Sequence, residues 1–225
     1  MKPIIISARN IMFTQPMTLK YDLNLGLILG RRHNFVIDTG LGSGCAAPVL
    51  EYIGDDAKPV IVINTHFHWD HIWGNCAFED CAIIAHTSCR ELADKYWEED
   101  LMENSGFVDR QARKCLPNLL FEESLYFPDD EVRIFHSPGH TWDCISVYDA
   151  ADNILYAGDN IGDTDDEIVP WIDTDPVTFR RLIGNYRLYG FEYCISGHNK
   201  PQKKAVLDRM ESALEGAWKK QRAGV

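Results

Sequence analysis

The twelve residues at 64–75, together with the run directly before them, constrain this chain more than any other segment. The run Pro-Val-Ile-Val-Ile-Asn at 59–64 is apolar and β-branched, which is typical of a buried strand. Four residues that can bind a metal follow it closely: His66, His68, Asp70 and His71. Alternate side chains of an extended segment share a face, so His66 and His68 can hold one ion together. Asp70 and His71 come after the chain bends and can reach a second ion, so the sequence predicts a metal site where this strand ends.

The same arrangement of strand, tight turn and ligand-type residue recurs later, at His140, Asp159 and His198. A glycine directly precedes each of these three residues, and glycine permits sharp turns and a close approach of the backbone to a metal. Catalytic groups converge at the strand ends of α/β sheets. We therefore expect the four segments to meet at one shared site.

The rest of the chain predicts short strands and a few helices. Strand patterns occur at 3–7, 23–29, 35–37, 82–85, 131–136, 143–149, 154–158 and 191–196. Helical patterns occur near 45–54 and 175–189, in a turn at 70–76, and from Pro201 to about Lys220. Ser88 and Glu91 resemble a capping box that opens a mostly helical insertion near 88–127, which forms either a lid or an ordinary surface excursion. No low-complexity linker interrupts the sequence, so we expect one domain over 1–225.

Composition narrows the class of protein and its partners. The net charge of −12 argues against a nucleic-acid partner, because such proteins usually carry a basic surface. The first residues lack the long apolar core of a signal peptide, and no stretch approaches transmembrane length, so no membrane partner is expected. Seven cysteines without a CxxC pair favour reduced thiols and a cytoplasmic location. The expected partner is a small-molecule substrate, and the sequence leaves a homo-oligomeric state open.

The ligand-type residues resemble those of the metallo-β-lactamase superfamily in kind and in order. The motif His66-x-His68-x-Asp70-His71 is followed by His140, Asp159 and His198, and the resemblance spans about 35–200. It implies an α/β (α+β) fold of four layers, the αββα sandwich, with a binuclear metal site at one edge. Carried over by position, the resemblance assigns His66, His68 and His140 to the first metal, Asp70, His71 and His198 to the second, and Asp159 to both.

The resemblance also implies the cofactor and the nucleophile. Two divalent metal ions are expected, most simply zinc, although iron or manganese also suits a mixed Asp/His site. His68 stands where the flavodiiron branch typically has glutamate, which favours zinc. Two ions that share a water would lower its pKa and give a metal-bound hydroxide, and Asp70 is the catalytic candidate that orients it. Asp38, Thr65 and Thr141 are expected either to support the histidines or to cap turns.

Three functions remain open after this comparison of motifs. The first is a binuclear hydrolase that acts on a small ester, thioester or lactone. The second is a metal-dependent phosphodiesterase, and the third is an iron-dependent redox enzyme of the persulfide dioxygenase or flavodiiron type. Asp159 argues against a true β-lactamase, because those enzymes usually lack the bridging aspartate. Trp171, in the acidic loop 160–175, and Trp142 are the expected rim residues of the substrate pocket.

Overall fold

Two β-sheets and five α-helices make up the structure, a computed structural model that describes residues 1–18 and 20–222. The first sheet contains β1 (Lys2–Ile5), β2 (Asn10–Pro16), β3 (Asp22–Leu29), β4 (Asn34–Ile37), β5 (Val60–Ile63), β6 (Ala82–His86) and β7 (Leu119–Phe121). The second contains β8 (Ser124–Phe127), β9 (Val132–His136), β10 (Ile145–Asp149), β11 (Ile154–Gly158), β12 (Tyr193–Ser196) and β13 (Gln202–Lys203). The helices are α1 (Ser43–Ile53), α2 (Trp69–Ile72), α3 (Thr87–Asn104), α4 (Pro176–Arg187) and α5 (Val206–Arg222).

The topology brings several strand ends to one edge. The first sheet runs in the order β1 to β7, and its strands β4, β5, β6 and β7 are mutually parallel. The second sheet has the order β13-β12-β11-β10-β9-β8, and β11 runs parallel to β12. Parallel neighbours end on the same side of a sheet. The loops after β4 and β5 therefore lie side by side, and so do the loops after β11 and β12.

Alternation within the strands produces separate apolar layers. In the first sheet, Phe35 and Ile63 pack between the two sheets, whereas Val36 and Val62 pack on the opposite face with α1. In the second sheet, Tyr156 points between the sheets. Its neighbours in β11 turn instead toward the layer that contains residues of α4 and α5. This order of helix, sheet, sheet and helix confirms the expected αββα sandwich.

Two elements differ from the sequence-based expectations near the ends of the chain. Strand β2 was not predicted, although Ile11, Met12 and Phe13 are buried and pair with β3. The last helix begins at Val206 rather than Pro201, because Gln202–Lys203 pair with β12 as a short edge strand. None of the helices in the described ranges is long and apolar enough to cross a bilayer.

The insertion near 88–127 is only half helical, so the expectation of a mostly helical segment is wrong for its second part. Helix α3 covers Thr87–Asn104, and a single 3₁₀ turn continues to Phe107. Its N-cap is His86 rather than Ser88, because the His86 ring nitrogen accepts the Ser88 backbone N–H at 3.2 Å. Strands β7 and β8 then add an edge strand to each sheet. Phe121 fixes the first of them, since it is buried between the sheets.

Candidate metal centre

All seven predicted ligands meet at the shared edge of the two sheets. Their donor atoms form overlapping groups in which every pair lies within 4.8 Å: His66, His68 and His140; Asp70, His71 and His198; and His66, His71 and Asp159. A fourth group adds Asp163 to Asp159 and His198. The sequence interpretation missed Asp163, because an aspartate in an acidic loop gives no distinct signal.

Asp159 occupies the middle of this cluster. Its Oδ2 atom lies 3.3 Å from His71 Nε2 and 3.2 Å from His198 Nε2. The same oxygen lies 3.8 Å from His66 Nε2 and 4.0 Å from His140 Nε2. A carboxylate in contact with histidines of both groups has the position of a bridging ligand.

Hydrogen bonds on the far side of the rings fix which nitrogen faces the centre. Four histidines direct Nδ1 to a protein oxygen: His66 to Thr65 Oγ1 (3.1 Å), His71 to Asp38 Oδ2 (2.8 Å), His140 to the Trp171 carbonyl (2.7 Å) and His198 to the Asp22 carbonyl (2.8 Å). These four rings therefore turn Nε2 toward the centre, and in the neutral ring this nitrogen carries the lone pair that can bind a metal. His68 is reversed, and its Nδ1 lies 3.1 Å from the Nε2 atoms of both His66 and His140.

The donor set fits two divalent cations. At His68 three imidazole nitrogens converge, because its Nδ1 lies 3.1 Å from Nε2 of His66 and 3.1 Å from Nε2 of His140, and nitrogens crowded in this way favour a cation between them. The buried atoms His71 Nε2 and Asp159 Oδ1 have no hydrogen-bond partner in the described part of the chain. Nitrogen and carboxylate donors at this density suit zinc and also iron or manganese.

The two groups differ in protonation. Burial, reinforced by the neighbouring histidines, lowers the pKa of His66 well below its ordinary value and lowers the pKa of His68 to about 4. Burial also acts against protonation of His71 and His198, but the carboxylates of Asp159 and Asp70 outweigh it and raise both pKa values. His66 and His68 are therefore neutral and ready to bind a cation. In the second group, His71 and His198 are protonated in the metal-free protein, and these protons occupy the positions where a cation would bind.

Asp38 supports the centre from behind. Its backbone has φ of 59°, and its side chain is buried at the end of β4. Oδ1 accepts the Thr65 N–H at 2.7 Å, and Oδ2 accepts the Thr65 hydroxyl at 2.7 Å as well as the His71 Nδ1–H. Of the two expected roles, Asp38 and Thr65 thus have that of supporting the histidines, through His71 and His66 respectively. Thr141 does not, because its hydroxyl donates to Asp143 at 2.7 Å.

Asn160 is a supporting residue that the sequence interpretation missed. Its Oδ1 accepts the backbone N–H of His140 at 2.8 Å, and its Nδ2 donates to the Ser137 carbonyl at 2.9 Å. The residue directly after Asp159 thereby holds the loop that carries His140. In the sequence it looks like an ordinary turn residue.

Glycines directly precede His140, Asp159 and His198, and they are needed mainly because neighbouring atoms pack closely against them. Only Gly158 has a positive φ, of 53°. A Cβ on Gly197 would overlap Asp159 Oδ1 and lie 2.6 Å from His71 Cε1, and a Cβ on Gly139 would overlap Asn160 Oδ1. The ligands therefore reach the centre because two of these positions carry no side chain.

A cavity of about 780 Å³ opens onto the centre at His68 and Asp70. One wall is a face of α3, and the lining also includes both expected tryptophans, Trp142 and Trp171. Trp142 is 52% exposed and Trp171 is 82% exposed, so their rings are free to contact a ligand. The two remain rim candidates, and the Trp171 carbonyl also holds His140.

Comparison with known proteins matches this geometry. The family model described as the metallo-beta-lactamase superfamily matches residues 23–198. Acyl-coenzyme A thioesterase MBLAC2 of Homo sapiens is 28% identical over 173 residues, which is 66% of this chain and 61% of that protein. Hydroxyacylglutathione hydrolase of Pelagibacter ubique is 27% identical over 118 residues, 52% of this chain and 42% of that protein. The chain spans about three fifths of the length of the first curated relatives it matches.

Solved structures share the fold. The metallo-beta-lactamase from Pontibacter korlensis superposes with a TM-score of 0.75 at 20% identity, over 95% of this chain and 98% of that one. The enzyme from Hirschia baltica gives 0.75 at 18% identity, over 95% and 97%. The family model covers most of the chain, the αββα sandwich is shared, and the curated relatives are hydrolases by name. The chain belongs to the metallo-beta-lactamase superfamily.

Proposed function

We propose that the protein is a binuclear metal-dependent hydrolase that cleaves a small thioester. The observation that carries the proposal is the convergence of five imidazole rings and two carboxylates at the floor of an open cavity. In this proposal His66, His68 and His140 hold one ion, and Asp70, His71 and His198 hold the other. Asp159 contacts both. Zinc is the proposed metal, since a group of three histidines suits it.

The chemistry needs a water activated near neutral pH. Two divalent cations, when bound, lower the pKa of a water and polarise the acyl carbonyl. Hydrolysis then adds the water oxygen to the acyl carbon, breaks the carbon–sulfur bond and gives a proton to the departing thiolate. Asp70 belongs to the second ligand group and also lines the cavity, and its Oδ2 lies 3.2 Å from His198 Nε2. Its carboxylate is placed to accept a hydrogen bond from the attacking water and so to orient it.

Support for a thioester comes from the named relatives. Acyl-coenzyme A thioesterase and hydroxyacylglutathione hydrolase are both named for thioester substrates. A phosphodiester is less favoured, because the described residues that line the cavity include no Lys or Arg to bind a phosphate. All seven cysteines are unpaired, which supports a cytoplasmic location as part of the proposal.

Metal content and substrate class can be tested together. The protein is stripped with a chelator and reloaded with zinc, iron or manganese. Each form is then assayed for thiol release from acyl thioesters and for cleavage of oxygen esters, lactones and phosphodiesters. We expect two zinc ions per chain and thiol release that disappears on chelation and returns with zinc. Phosphodiester cleavage without thiol release, or oxygen consumption by the iron form alone, would refute the proposal.

Substitutions of the proposed ligands, compared with a control substitution elsewhere, distinguish loss of metal binding from a general effect of mutation. His66→Ala should lose the first ion, and Asp159→Ala should weaken both, because Asp159 Oδ2 contacts both histidine groups. His33→Ala is the matched control, since His33 pairs with Asp130 far from the centre in the fold. Full activity in His66→Ala or Asp159→Ala would contradict the ligand assignment.

A further inference from the structure

One face of α3 turns a row of carboxylates toward the cavity. The lining residues of this helix include Leu92, Tyr96, Glu99, Asp100 and Glu103, whose spacing of three and four places them on one side of the helix. Asp173 adds another carboxylate from the segment that follows the ligand loops. A row of acidic residues is common on the solvent-exposed face of a helix. Here it borders the cavity that opens onto the metal centre at His68 and Asp70, and a smaller cavity of about 320 Å³ reaches the centre at His198.

Basic side chains stay outside the lining of this cavity, although Lys95 Nζ lies 4.5 Å from the centroid of the Tyr96 ring. The cavity lining, as far as the structure describes it, contains neither Lys nor Arg. Glu99, Asp100 and Glu103 form no ion pair with any described residue, whereas Asp94 on another side of the same helix pairs with Lys114 at 2.6 Å. Burial, together with Glu99 and Glu103, raises the pKa of Asp100 to about 6. The carboxylates therefore repel one another and give this wall of the cavity a negative charge.

Aromatic rings form much of the remaining surface. Phe67 and Tyr96 face each other with ring centroids 5.7 Å apart, and the exposed rings of Trp142 and Trp171 stand at the rim. Tyr21 and Trp69 complete the aromatic lining. Aromatic faces attract ammonium groups through the ring quadrupole, and carboxylates attract them by charge. Both kinds of wall favour the same ligand chemistry.

We infer that the part of the substrate that fills this cavity carries a positive charge, as a primary or quaternary ammonium group. The inference rests on the proposed hydrolase and specifies its substrate class. A neutral apolar group would gain from the rings but nothing from the four carboxylates. An anionic thiol carrier would be repelled by the carboxylates of this wall. We therefore propose the thioester bond of the named relatives' substrates for this protein, but not their anionic thiol carriers.

Binding tests this inference without catalysis. The zinc-loaded protein is titrated with choline and with its uncharged carbon analogue 3,3-dimethylbutan-1-ol, and the tryptophan fluorescence is recorded. We expect choline to bind about tenfold more tightly or better, since charge and cation–π terms add to the shared shape. The preference should shrink as salt is raised, because the carboxylates are near the surface. Equal affinities for the two probes would overturn the inference.

Hydrolysis gives a second readout. Acetylthiocholine and 3,3-dimethylbutyl thioacetate differ only in the charge of the leaving thiol. The ratio of their kcat/KM values should be at least about ten in the wild type and should fall severalfold in Glu99→Gln/Glu103→Gln. The control Glu91→Gln/Glu98→Gln removes the same charge from the same helix at exposed positions outside the cavity lining, and it should keep the ratio. Equal falls in both double variants would mean that only net charge matters, and would also overturn the inference.

The two proposals fail in different ways. If neither thioester is cleaved but choline still binds selectively, the hydrolase proposal is wrong and the cation preference stands. If both thioesters are cleaved equally and choline shows no preference, the cation preference is wrong and the hydrolase stands. Trp171→Ala adds a check on the rim, since it should lower choline affinity while the zinc content stays at the wild-type value.

Discussion

Replacing Asp38 by asparagine should weaken one of the two metal sites and largely spare the other. Asp38 accepts three hydrogen bonds, two from Thr65 and one from His71 Nδ1–H. An amide of the same shape has only one acceptor oxygen. If that oxygen faces His71, the amide NH₂ meets the Thr65 N–H, and two donors oppose each other. If the amide is reversed, it drives the His71 proton to Nε2 and removes the lone pair that a metal needs.

The magnitude follows from the bonds lost. A hydrogen bond to a charged group contributes about 1.5–3 kcal/mol, and a buried unpaired donor costs about as much. Outer partners of ligating histidines typically affect metal affinity by about 10–100-fold, or roughly 1.4–2.8 kcal/mol. Because His71 belongs to the Asp70 and His198 group, the loss should fall on that site. The site of His66, His68 and His140 should weaken by no more than about threefold, through the contact of Thr65 with His66.

Competition with a calibrated chelator measures both affinities in one titration. The metal-free variant is titrated with zinc, and its thermal unfolding is followed in parallel to establish that it is folded. Asp80→Asn, an exposed position in the turn before β6, is the control for loss of one carboxylate charge. Two unchanged zinc affinities in a folded Asp38→Asn variant would refute the role of Asp38. Equal weakening of both sites would refute its assignment to the His71 group.

Two further predictions concern packing and pH. Gly197→Ala should reduce the zinc content below two per chain, measured by atomic spectroscopy, because its Cβ would displace Asp159 and His71; Gly184→Ala, where a Cβ meets nothing within 4 Å, should keep both ions. The metal-free protein should be most stable near pH 6.5. Below this pH the unfolded chain takes up a proton at His68 that the folded chain does not, because folding lowers the pKa of His68, and this costs about 2 kcal/mol of stability at about pH 5. Above it, the folded chain retains protons at His71 and His198 that the unfolded chain has lost, because folding raises both pKa values. The stability that these protons contribute is lost as the pH rises. Denaturant unfolding at about pH 5, 6.5 and 8 checks this, and stability that rises steadily to pH 8 would contradict it.

The convergence of the candidate ligands could be predicted from the sequence because each signal is local. His66 and His68 follow a strand that is apolar on both faces, and the turn that bends the chain lies within the same few residues. The later ligands follow strands in the same way, and parallel pairing of β11 with β12 brings Asp159 and His198 together. A strand pattern followed by a ligand-type side chain indicates both where the residue lies, at the strand end, and what it can do, which is bind a metal.

The supporting contacts could not be predicted in this way. The carbonyl oxygens of Asp22 and Trp171, which hold His198 and His140, belong to the backbone and have no signature in the side chain. Asn160 and Asp163 act through tertiary contacts that only the folded chain defines. The start of α3 was misplaced because serine is a common N-cap, whereas the His86 ring competes for the same N–H once its strand is in place.

Helix α3 links the metal centre to the substrate wall and favours a fixed wall over a lid. Its inner residues Ala93 and Trp97 are 1% and 3% exposed and pack with Ile72 and Trp73, directly after the ligands of α2. Its other face carries the carboxylates of the cavity. Opening the helix as a lid would expose this apolar cluster beside the ligands, at about 1.5–3 kcal/mol for each large side chain uncovered. Substrate selectivity at this site should therefore come from the charge and shape of a fixed wall rather than from a closing lid. Residues on the cavity face of α3 can be substituted one at a time while the packing of its buried face, which holds the ligands, stays intact.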